Sequence, residues 1–297
     1  MSKIIDSKNI VDNFVLGKKV GYEFKYNPSL LVFLPREEKR KEIGYKDKDK
    51  VNFKGFDLWN AYEVSYLDLN GKPVVRIGVL TYSSNTRNIV ESKSLKLYLN
   101  SFNMEKFDSD KGLINVIEKD LKEGLDDETL KFRLFTLEDH KIVNESEYNY
   151  KSIDNLNVDI SAYLVDNGLL KTTPGTIGQA LYSNLLKSNC LVTHQPDWGS
   201  IYIRVVPNKL MIDEKSLLKY VISFRQHNEF HEQCIERIFH DLWELLQPKS
   251  LEVFGKYVRR GGLDINPYRI SDDESLLRVR DFRNKIEEQL FHRDSRQ

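Results

Sequence analysis

The sequence repeats itself weakly at a distance of 122 residues, and this repeat limits the folds open to the chain. Residues 91–102, ESKSLKLYLNSF, align with residues 213–224, DEKSLLKYVISF, with Lys, Ser, Leu, Tyr, Ser and Phe in register. Each copy opens with an acidic residue and continues with apolar residues at helical spacing. Two copies of one supersecondary unit predict two related modules.

The segments around each copy predict the same order of elements. A strand-like run precedes each helix, and a second helix and a further strand follow it: residues 73–82, 108–124 and 131–137 in the first half, and residues 200–206, 228–246 and 251–258 in the second. Upstream, Asn60-Ala61 aligns with Asn189-Cys190 at a distance of 129 residues. Each half is interpreted as strand, strand, helix, helix, strand, strand. This predicts an α+β fold with helices gathered on one face of an antiparallel sheet.

The repeat divides the chain into two modules and a connection. Residues 1–140 form the predicted N-terminal module and residues 174–297 the C-terminal one. Residues 141–173 lie in a polar stretch rich in Asn, Asp, Ser and Tyr, which predicts a connecting segment, with a strand suggested at residues 158–164. The charged piece from Asp272 onward is interpreted as a peripheral helix.

Composition excludes several classes of protein. The 297 residues carry 45 Lys plus Arg and 45 Asp plus Glu, so no global charge draws the chain to nucleic acid or to an anionic membrane. Two cysteines cannot form a disulfide framework and fit a reducing compartment. No signal peptide and no apolar stretch of membrane-spanning length is evident, which predicts a cytoplasmic protein.

Cys190 is the first candidate for chemistry. It lies in a polar run that also contains His194 and Asp197, and Pro196 favours a turn before the next strand. A loop cysteine beside a proton acceptor is a plausible nucleophile, whereas a lone cysteine is more often a small buried apolar residue. Cys234 falls on the apolar stripe of its helix, which favours packing.

A metal site is the alternative for the same region. His227, His231 and Cys234 follow one another at spacings of four and three, and zinc accepts such ligands. The HExxH pattern fails, however, because Ile235 stands where its second histidine would be.

Two carboxylates, Glu91 and Glu232, stand near the predicted starts of helices in different halves. An acid in a first turn favours the helix dipole, with Asn228 a candidate N-cap for the second helix. The same carboxylates, with His231 beside one of them, also suit a purine-like ligand with N–H donors on one edge. Both interpretations stay open at this point.

Two further runs suit an anion. Ser92 and Lys93 open a helix, where free N–H groups bind anions, although Ser92 could equally be an N-cap. Arg259-Arg260-Gly261-Gly262 follows a strand, and Arg beside Gly suits a phosphate as well as a plain turn. No GxGxxG or GxxxxGK[ST] motif supports a Rossmann or P-loop site.

Taken together, four motifs in order resemble the NADPH-dependent 7-cyano-7-deazaguanine reductases of queuosine biosynthesis, in their long, bimodular form. They are ESKSLK at residues 91–96, Cys190 with Asp197, FHE at residues 230–232 and GKYVRRGGLDINPY at residues 255–268. The resemblance extends from about Leu16 to Arg269. It implies tandem tunnelling-fold modules, a homodimer, a small 7-deazapurine substrate, no metal and no direct nucleic-acid or membrane partner.

The resemblance also implies a reaction and its residues. Cys190 would add to the nitrile carbon as a covalent thioimide, Asp197 would handle the proton, and two NADPH per turnover would supply hydrides. The implied substrate-binding residues are Val90, Glu91, Ser92, His231 and Glu232, and those implied for NADPH are Ser92, Lys93, Arg260 and Gly261. His194 belongs to none of these motifs.

The two halves have diverged in a complementary way. The first half keeps Glu91-Ser92-Lys93, but Ala61 aligns with Cys190 and Ser109-Asp110 aligns with His231-Glu232. The second half keeps Cys190 and His231-Glu232, but its helix opens with Asp213-Glu214-Lys215. A complete site would need both halves and should lie where they meet. The alternatives are a zinc-dependent enzyme of the cyclohydrolase or pterin type, and a non-catalytic purine-binding module.

Overall fold

The computed structural model describes residues 3–4, 24–45, 51–142, 149–271, 290–294 and 296–297. The helices in these residues are α1 (Glu37–Glu42), α2 (Ser92–Asn100), α3 (Asp110–Leu125), α4 (Glu214–Ser223) and α5 (His231–Leu246). The strands are β1 (Lys3–Ile4), β2 (Val32–Pro35), β3 (Lys54–Leu67), β4 (Pro73–Ser83), β5 (Asn88–Val90), β6 (Lys131–Phe135), β7 (Lys151–Ser152), β8 (Thr172–Pro174), β9 (Gln179–Asn189), β10 (Pro196–Val206), β11 (Leu210–Ile212), β12 (Ser250–Tyr257) and β13 (Leu263–Ile270).

One eight-stranded sheet runs through both halves in the order β6-β4-β3-β13-β12-β10-β9-β7. Adjacent strands in this sheet are antiparallel, except that β7 and β9 are parallel. The halves join between β3 and β13, where Ala61 lies opposite Leu263. The predicted α+β class with antiparallel pairing is confirmed. The two modules share one sheet because pairing β3 with β13 removes an exposed edge from each. The predicted division at residues 140 and 173 stays a prediction.

The helices pack on one face of the sheet, as the sequence predicted. Along β10, Ile201, Ile203 and Val205 face the core under α4 and α5, while Tyr202 faces the other side. This follows from the two-residue period of a strand. On the opposite face, aromatic residues of the sheet pack with Phe291.

The repeat is present in three dimensions. Glu91 caps α2, and Asp213, which lies 122 residues later, caps α4. A short strand pair precedes each of these helices, β2 with β5 in the first half and β8 with β11 in the second. The second copy includes β8, so the end of the predicted connection follows the plan of the second module.

The alignment of Ala61 with Cys190 is wrong. β3 carries a bulge between Ala61 and Val64, and β9 carries the matching bulge between Ser183 and Leu186. Ala61 is therefore equivalent to Ser183, at the same distance of 122 residues as α2 and α4. The distance is 121 residues for α3 and α5, so the predicted alignment of Ser109-Asp110 with His231-Glu232 is also wrong, and Asp110 is equivalent to His231. The identical asparagines at 60 and 189 produced a false match that slipped by seven residues.

The ends of β3 and β9 give the true equivalent of Cys190. Leu67 and Asn189 are the last residues of these strands. The residue that follows is Asp68 in the first half and Cys190 in the second. The first half thus places an acidic turn residue where the second half places a thiol.

Three other sequence predictions need correction or lie outside the described residues. Two strands were predicted after the second helix of the first half. The structure describes one, β6, which is followed by a 3-10 helix (Leu137–Asp139). Residues 158–164 form no strand, since the edge of β9 is paired with β7. The predicted helix from Asp272 falls mainly on residues 272–289, outside the described part of the chain.

Candidate active site

A cleft of about 400 Å³ lies where α2 of the first half meets β9, β10 and α5 of the second. It is lined by every residue that the sequence analysis assigned to nucleophile, proton transfer and base binding: Val90, Glu91, Ser92, Cys190, Asp197, His231 and Glu232. The predicted position of the site between the halves agrees with this cleft.

Cys190 and Asp197 lie at the turn end of the β9–β10 hairpin. Cys190 follows the last residue of β9, and its N–H donates to the carbonyl of Gln195 (2.8 Å) while its carbonyl accepts from His194 N–H (3.0 Å). Asp197 is on β10, opposite Ser188. Both functional side chains are buried at 3% exposure. His194 is exposed, with a φ of 56° that fits the tight turn.

Asp197 is flanked by two groups that carry or can acquire positive charge. Arg260 Nε lies 2.9 Å from its Oδ1, and His231 Nε2 lies 3.2 Å from its Oδ2, without the alignment of a hydrogen bond. The His231 ring stacks on Tyr257, with centroids 3.9 Å apart and planes 4° apart. This stacking fixes the ring between the acid and the start of α5. The N-cap of α5 is Phe230, which makes no side-chain cap bond, so the Asn228 alternative is wrong.

Glu232 is the second residue of α5 and is buried at 4% exposure. Burial, reinforced by the negative charge of Asp57, raises its pKa to about 8. Within the described part of the chain, its Oε1 has no hydrogen-bond partner. A buried acceptor without a donor costs free energy unless a ligand supplies one. Glu232 therefore presents an oxygen suited to a ligand N–H.

A buried ion-pair cluster lies behind this carboxyl, and the sequence analysis missed it. Arg36 pairs with Asp57 (2.5 Å), Arg269 pairs with both Asp57 (2.8 Å) and Glu236 (2.9 Å), and Arg40 also pairs with Glu236 (2.8 Å). Burial alone would raise the pKa of Glu236, but Arg40 and Arg269 hold it at about 2. The one sequence signal was a charged residue, Glu236, inside the apolar stripe of α5. Since the cluster joins α1, β3, β13 and α5, it holds both halves around the cleft.

Glu91 is the N-cap of α2. Its two carboxylate oxygens accept from the N–H groups of Lys93 (2.9 Å) and Ser94 (2.7 Å). Burial raises its pKa, and these N–H groups oppose the rise. The alternative of Ser92 as the cap is wrong, because Ser92 is the first residue of the helix. A carboxylate oxygen accepts more than one hydrogen bond, so capping leaves Glu91 free to bind a ligand as well.

A second cleft, of about 660 Å³, adjoins the first and shares Ser92, His231 and Arg260 with it. All four residues implied for NADPH line it: Ser92, Lys93, Arg260 and Gly261. Two lysines, an arginine and the start of α2 make this cleft suitable for phosphate groups. These residues fit the anionic part of NADPH.

Lys96 is a further cation in the second cleft that the sequence analysis did not single out. Its Nζ lies 3.5 Å from Glu63 Oε2. Gly261 has a φ of +58°, and a Cβ there would lie 3.2 Å from Lys96. The glycine allows the backbone to turn tightly beside the lysine.

The metal alternative gains no support from side-chain placement. Across the described residues, no group of three or more His, Cys, Asp or Glu side chains is arranged to hold a metal ion. His227 faces Glu229 (3.1 Å), His231 faces Asp197, and Cys234 is fully buried in the core. None of the helices that the structure describes is long and apolar enough to cross a membrane.

Comparison with known families matches both halves of the chain. Residues 22–131 match the family described as "Nitrile reductase, 7-cyano-7-deazaguanine-reductase N-term", and residues 196–275 match that described as "QueF-like protein". A solved structure of the archaeosine synthase QueF-Like in the apo form is 15% identical, with a TM-score of 0.27 over 33% of this chain and 89% of that one.

Curated relatives are similar over nearly their whole length. A protein of Legionella pneumophila (strain Corby) is 46% identical over 277 residues, which cover 92% of this chain and 95% of the relative. One of Cupriavidus metallidurans is 48% identical, with 86% and 91% covered, and one of Hydrogenovibrio crunogenus is 44% identical, with 91% and 96% covered. Each is named an NADPH-dependent 7-cyano-7-deazaguanine reductase.

Proposed function

The chain belongs to the family of NADPH-dependent 7-cyano-7-deazaguanine reductases, and on that basis we propose that it reduces the nitrile through a covalent adduct on Cys190. The chain is an NADPH-dependent nitrile reductase that converts 7-cyano-7-deazaguanine to 7-aminomethyl-7-deazaguanine in queuosine biosynthesis. The observation that carries the adduct proposal is that Cys190 and Asp197 line one cleft, together with Glu91 and Glu232.

The reaction uses Cys190 as nucleophile and Asp197 as proton carrier. The Cys190 sulfur forms a bond to the nitrile carbon, one C–N π bond breaks, and the nitrogen takes up the pair of electrons. Asp197 accepts the thiol proton and delivers it to that nitrogen, so the adduct is a neutral thioimide. His231 and Arg260 hold Asp197 from both sides. When bound, NADPH supplies the hydrides of the two reductions.

The base of the substrate lies between the two halves in this proposal. Glu232 Oε1 and Glu91 accept from N–H donors of the deazaguanine ring, and Val90, Ser92 and the His231 ring complete the pocket. The free buried oxygen of Glu232 supports this arrangement. Ser92, Lys93, Arg260 and Gly261 bind the NADPH phosphates, supported by their placement along the second cleft.

A homodimer, a cytoplasmic location and the lack of a nucleic-acid partner also belong to the proposal. Among the described strands, β6 is paired on one side only, which supports association because exposed strand edges favour pairing with another chain. The zinc-dependent and non-catalytic alternatives are not proposed, since the relatives' names state NADPH dependence.

Turnover by two cysteine variants tests the adduct proposal. Cys190→Ala should lower NADPH oxidation with the nitrile by about 10⁴-fold or more, the order of loss seen when other covalent enzymes lose their nucleophile. Cys234→Ala is the matched control and should turn over at close to the parent rate, consuming two NADPH per nitrile. Equal activity of the two variants would contradict a role for Cys190 as nucleophile.

A further inference from the structure

The first cleft contains a third buried glutamate, Glu229, which has no role in the reaction described so far. It is 2% exposed. Its Oε1 accepts from Arg237 Nε (2.7 Å) and lies 3.1 Å from His227 Nε2. Its Oε2 is buried and has no hydrogen-bond partner among the described residues. One oxygen is thus held by Arg237, and the other is left for a ligand.

The first half builds the equivalent backbone position without a carboxylate. Phe107 is the equivalent residue of the first half, and its N–H donates to Leu67 O (2.9 Å), as Glu229 N–H donates to Asn189 O (3.1 Å). Phe107 packs against the core of its half, with no charge buried. The same backbone position is therefore apolar in one half and ionisable in the other.

The partner of Glu229 has changed with it. α3 and α5 align at a distance of 121 residues, so Arg237 is equivalent to Val116, an apolar residue of the first half. Burying a carboxylate costs free energy, and an arginine beside it offsets part of that cost. The second half has acquired both members of the pair at the edge of the cleft. Such a pair with one free oxygen indicates a binding role.

Glu229 lies at the reacting end of the cleft. Its backbone is hydrogen-bonded to Asn189, the residue before Cys190. Glu229 and Asp197 both act electrostatically on Tyr257, whose pKa burial and neighbouring groups raise well above its usual value. Glu232, in contrast, is under the electrostatic influence of Asp57, Arg36 and Arg269 in the buried ion-pair cluster.

We propose that the free Oε2 of Glu229 binds the nitrogen of the substrate once reduction has turned it into an amine. The inference rests on the proposed function, because it assigns the remaining carboxylate of the same site. The nitrile nitrogen carries no hydrogen, whereas the aminomethyl group is a cationic donor with three N–H bonds. A buried carboxylate forms strong hydrogen bonds with such a cation and offers nothing to a nitrile.

Binding of the two ligands to a non-reacting protein tests this role. In a Cys190→Ala background, dissociation constants are measured for 7-cyano-7-deazaguanine and for 7-aminomethyl-7-deazaguanine. Glu229→Gln keeps an oxygen for Arg237 and turns an NH₂ group toward the cleft. It should weaken the amine by about tenfold or more, the size expected for a charged hydrogen bond, and leave the nitrile nearly unchanged. Glu229→Asp keeps the charge and should lose less.

Glu214→Gln is the matched control, since Glu214 pairs with Lys151 on the surface (2.7 Å) and lies outside both clefts. It should change neither constant. Equal weakening of both ligands by Glu229→Gln would assign Glu229 to structure alone and overturn the inference, as would no weakening of the amine. If the Cys190→Ala protein bound neither ligand, the base-binding proposal itself would fail, and the role of Glu229 with it.

Discussion

The two halves share one backbone plan at the ends of β3 and β9 and differ in the side chains there. Leu67 forms an isolated bridge with Lys106, and Asn189 forms the same bridge with Asn228. In the second half the next residue is Cys190, and the segment after the bridge leads to Glu229 and the start of α5. The backbone contacts that repeat at these strand ends maintain the fold. The side chains that differ there, Cys190 and Glu229, are those proposed for the reaction.

The N-caps of α2 and α4 also differ between the halves, and here the unusual residue is in the first half. Asp213 caps α4 with a side chain that is among the preferred N-caps, and it accepts from Ser216 N–H (2.8 Å). Glu91 caps α2 although glutamate is not a favoured N-cap. The proposed function gives its longer side chain a second task, which is binding the substrate. In the proposed mechanism the first half supplies Glu91 for base binding, and the second half supplies Glu232 and the nucleophile.

Replacing each N-cap residue in turn tests whether Glu91 binds the substrate while Asp213 only caps its helix. Glu91→Ala and Asp213→Ala should each lower the free energy of unfolding by about 1 kcal/mol, because each removes an N-cap. Only Glu91→Ala should also weaken 7-cyano-7-deazaguanine, by about 10–100-fold, since it removes a charged hydrogen bond. Denaturant unfolding and equilibrium binding measure the two effects. Similar binding losses in both variants would show that capping, and not contact, controls the substrate.

Proton release on binding distinguishes Glu232, at the start of α5, from Asp110, the acidic residue in the first turn of the equivalent helix α3. The raised pKa of Glu232, about 8 with no ligand, means that its carboxyl is largely protonated at pH 7. Ring N–H donors require the ionised form, so binding should release a proton and tighten by up to about tenfold per pH unit from pH 6 to 8.

Calorimetry in buffers of different ionisation enthalpy measures this release in the Cys190→Ala protein. Glu232→Gln should abolish the release. Asp110→Asn is the control, because Asp110 already accepts from Tyr66 and Arg76 and is one-third exposed. Proton release that survives Glu232→Gln would place the titrating group elsewhere.

A tyrosine–aspartate hydrogen bond ties the two helices together in each half, and removing it should have the smallest effect. Tyr98 OH donates to Asp120 (2.7 Å), and Tyr220 OH donates to Asp241 (2.5 Å), so α2 is tied to α3 as α4 is tied to α5. Tyr98→Phe and Tyr220→Phe should each cost about 1 kcal/mol of unfolding free energy, with turnover unchanged. Thermal and denaturant unfolding check this. A much larger loss in one variant would mean that the two modules are not built alike.

The sequence predicted the helices because their patterns are local. Apolar residues at helical spacing and an acidic residue before each helix marked α2 and α4, and Leu95 and Leu217 are buried as expected. The motifs also located Cys190, Asp197 and Glu232, whose side chains the fold brings into one cleft.

Distant pairings could not be predicted in the same way. Arg36, Asp57 and Arg269 are far apart in the sequence, and each resembles an ordinary surface charge until the fold buries it. The equivalent of Cys190 was missed because a single matching asparagine outweighed the strand register. Glu229 could not be predicted as a site residue from the sequence. Its difference from Phe107 becomes visible only when the backbones of the two halves are aligned.

The central claim is that one site, built from both halves, carries its nucleophile at Cys190. Intact-protein mass spectrometry after mixing with 7-cyano-7-deazaguanine, without NADPH, tests it most directly. If it holds, we expect a gain of one nitrile mass per chain, absent in Cys190→Ala, retained in Cys234→Ala and cleared when NADPH is added. An adduct that persists in Cys190→Ala, or no adduct on a parent protein that binds the ligand, would contradict it.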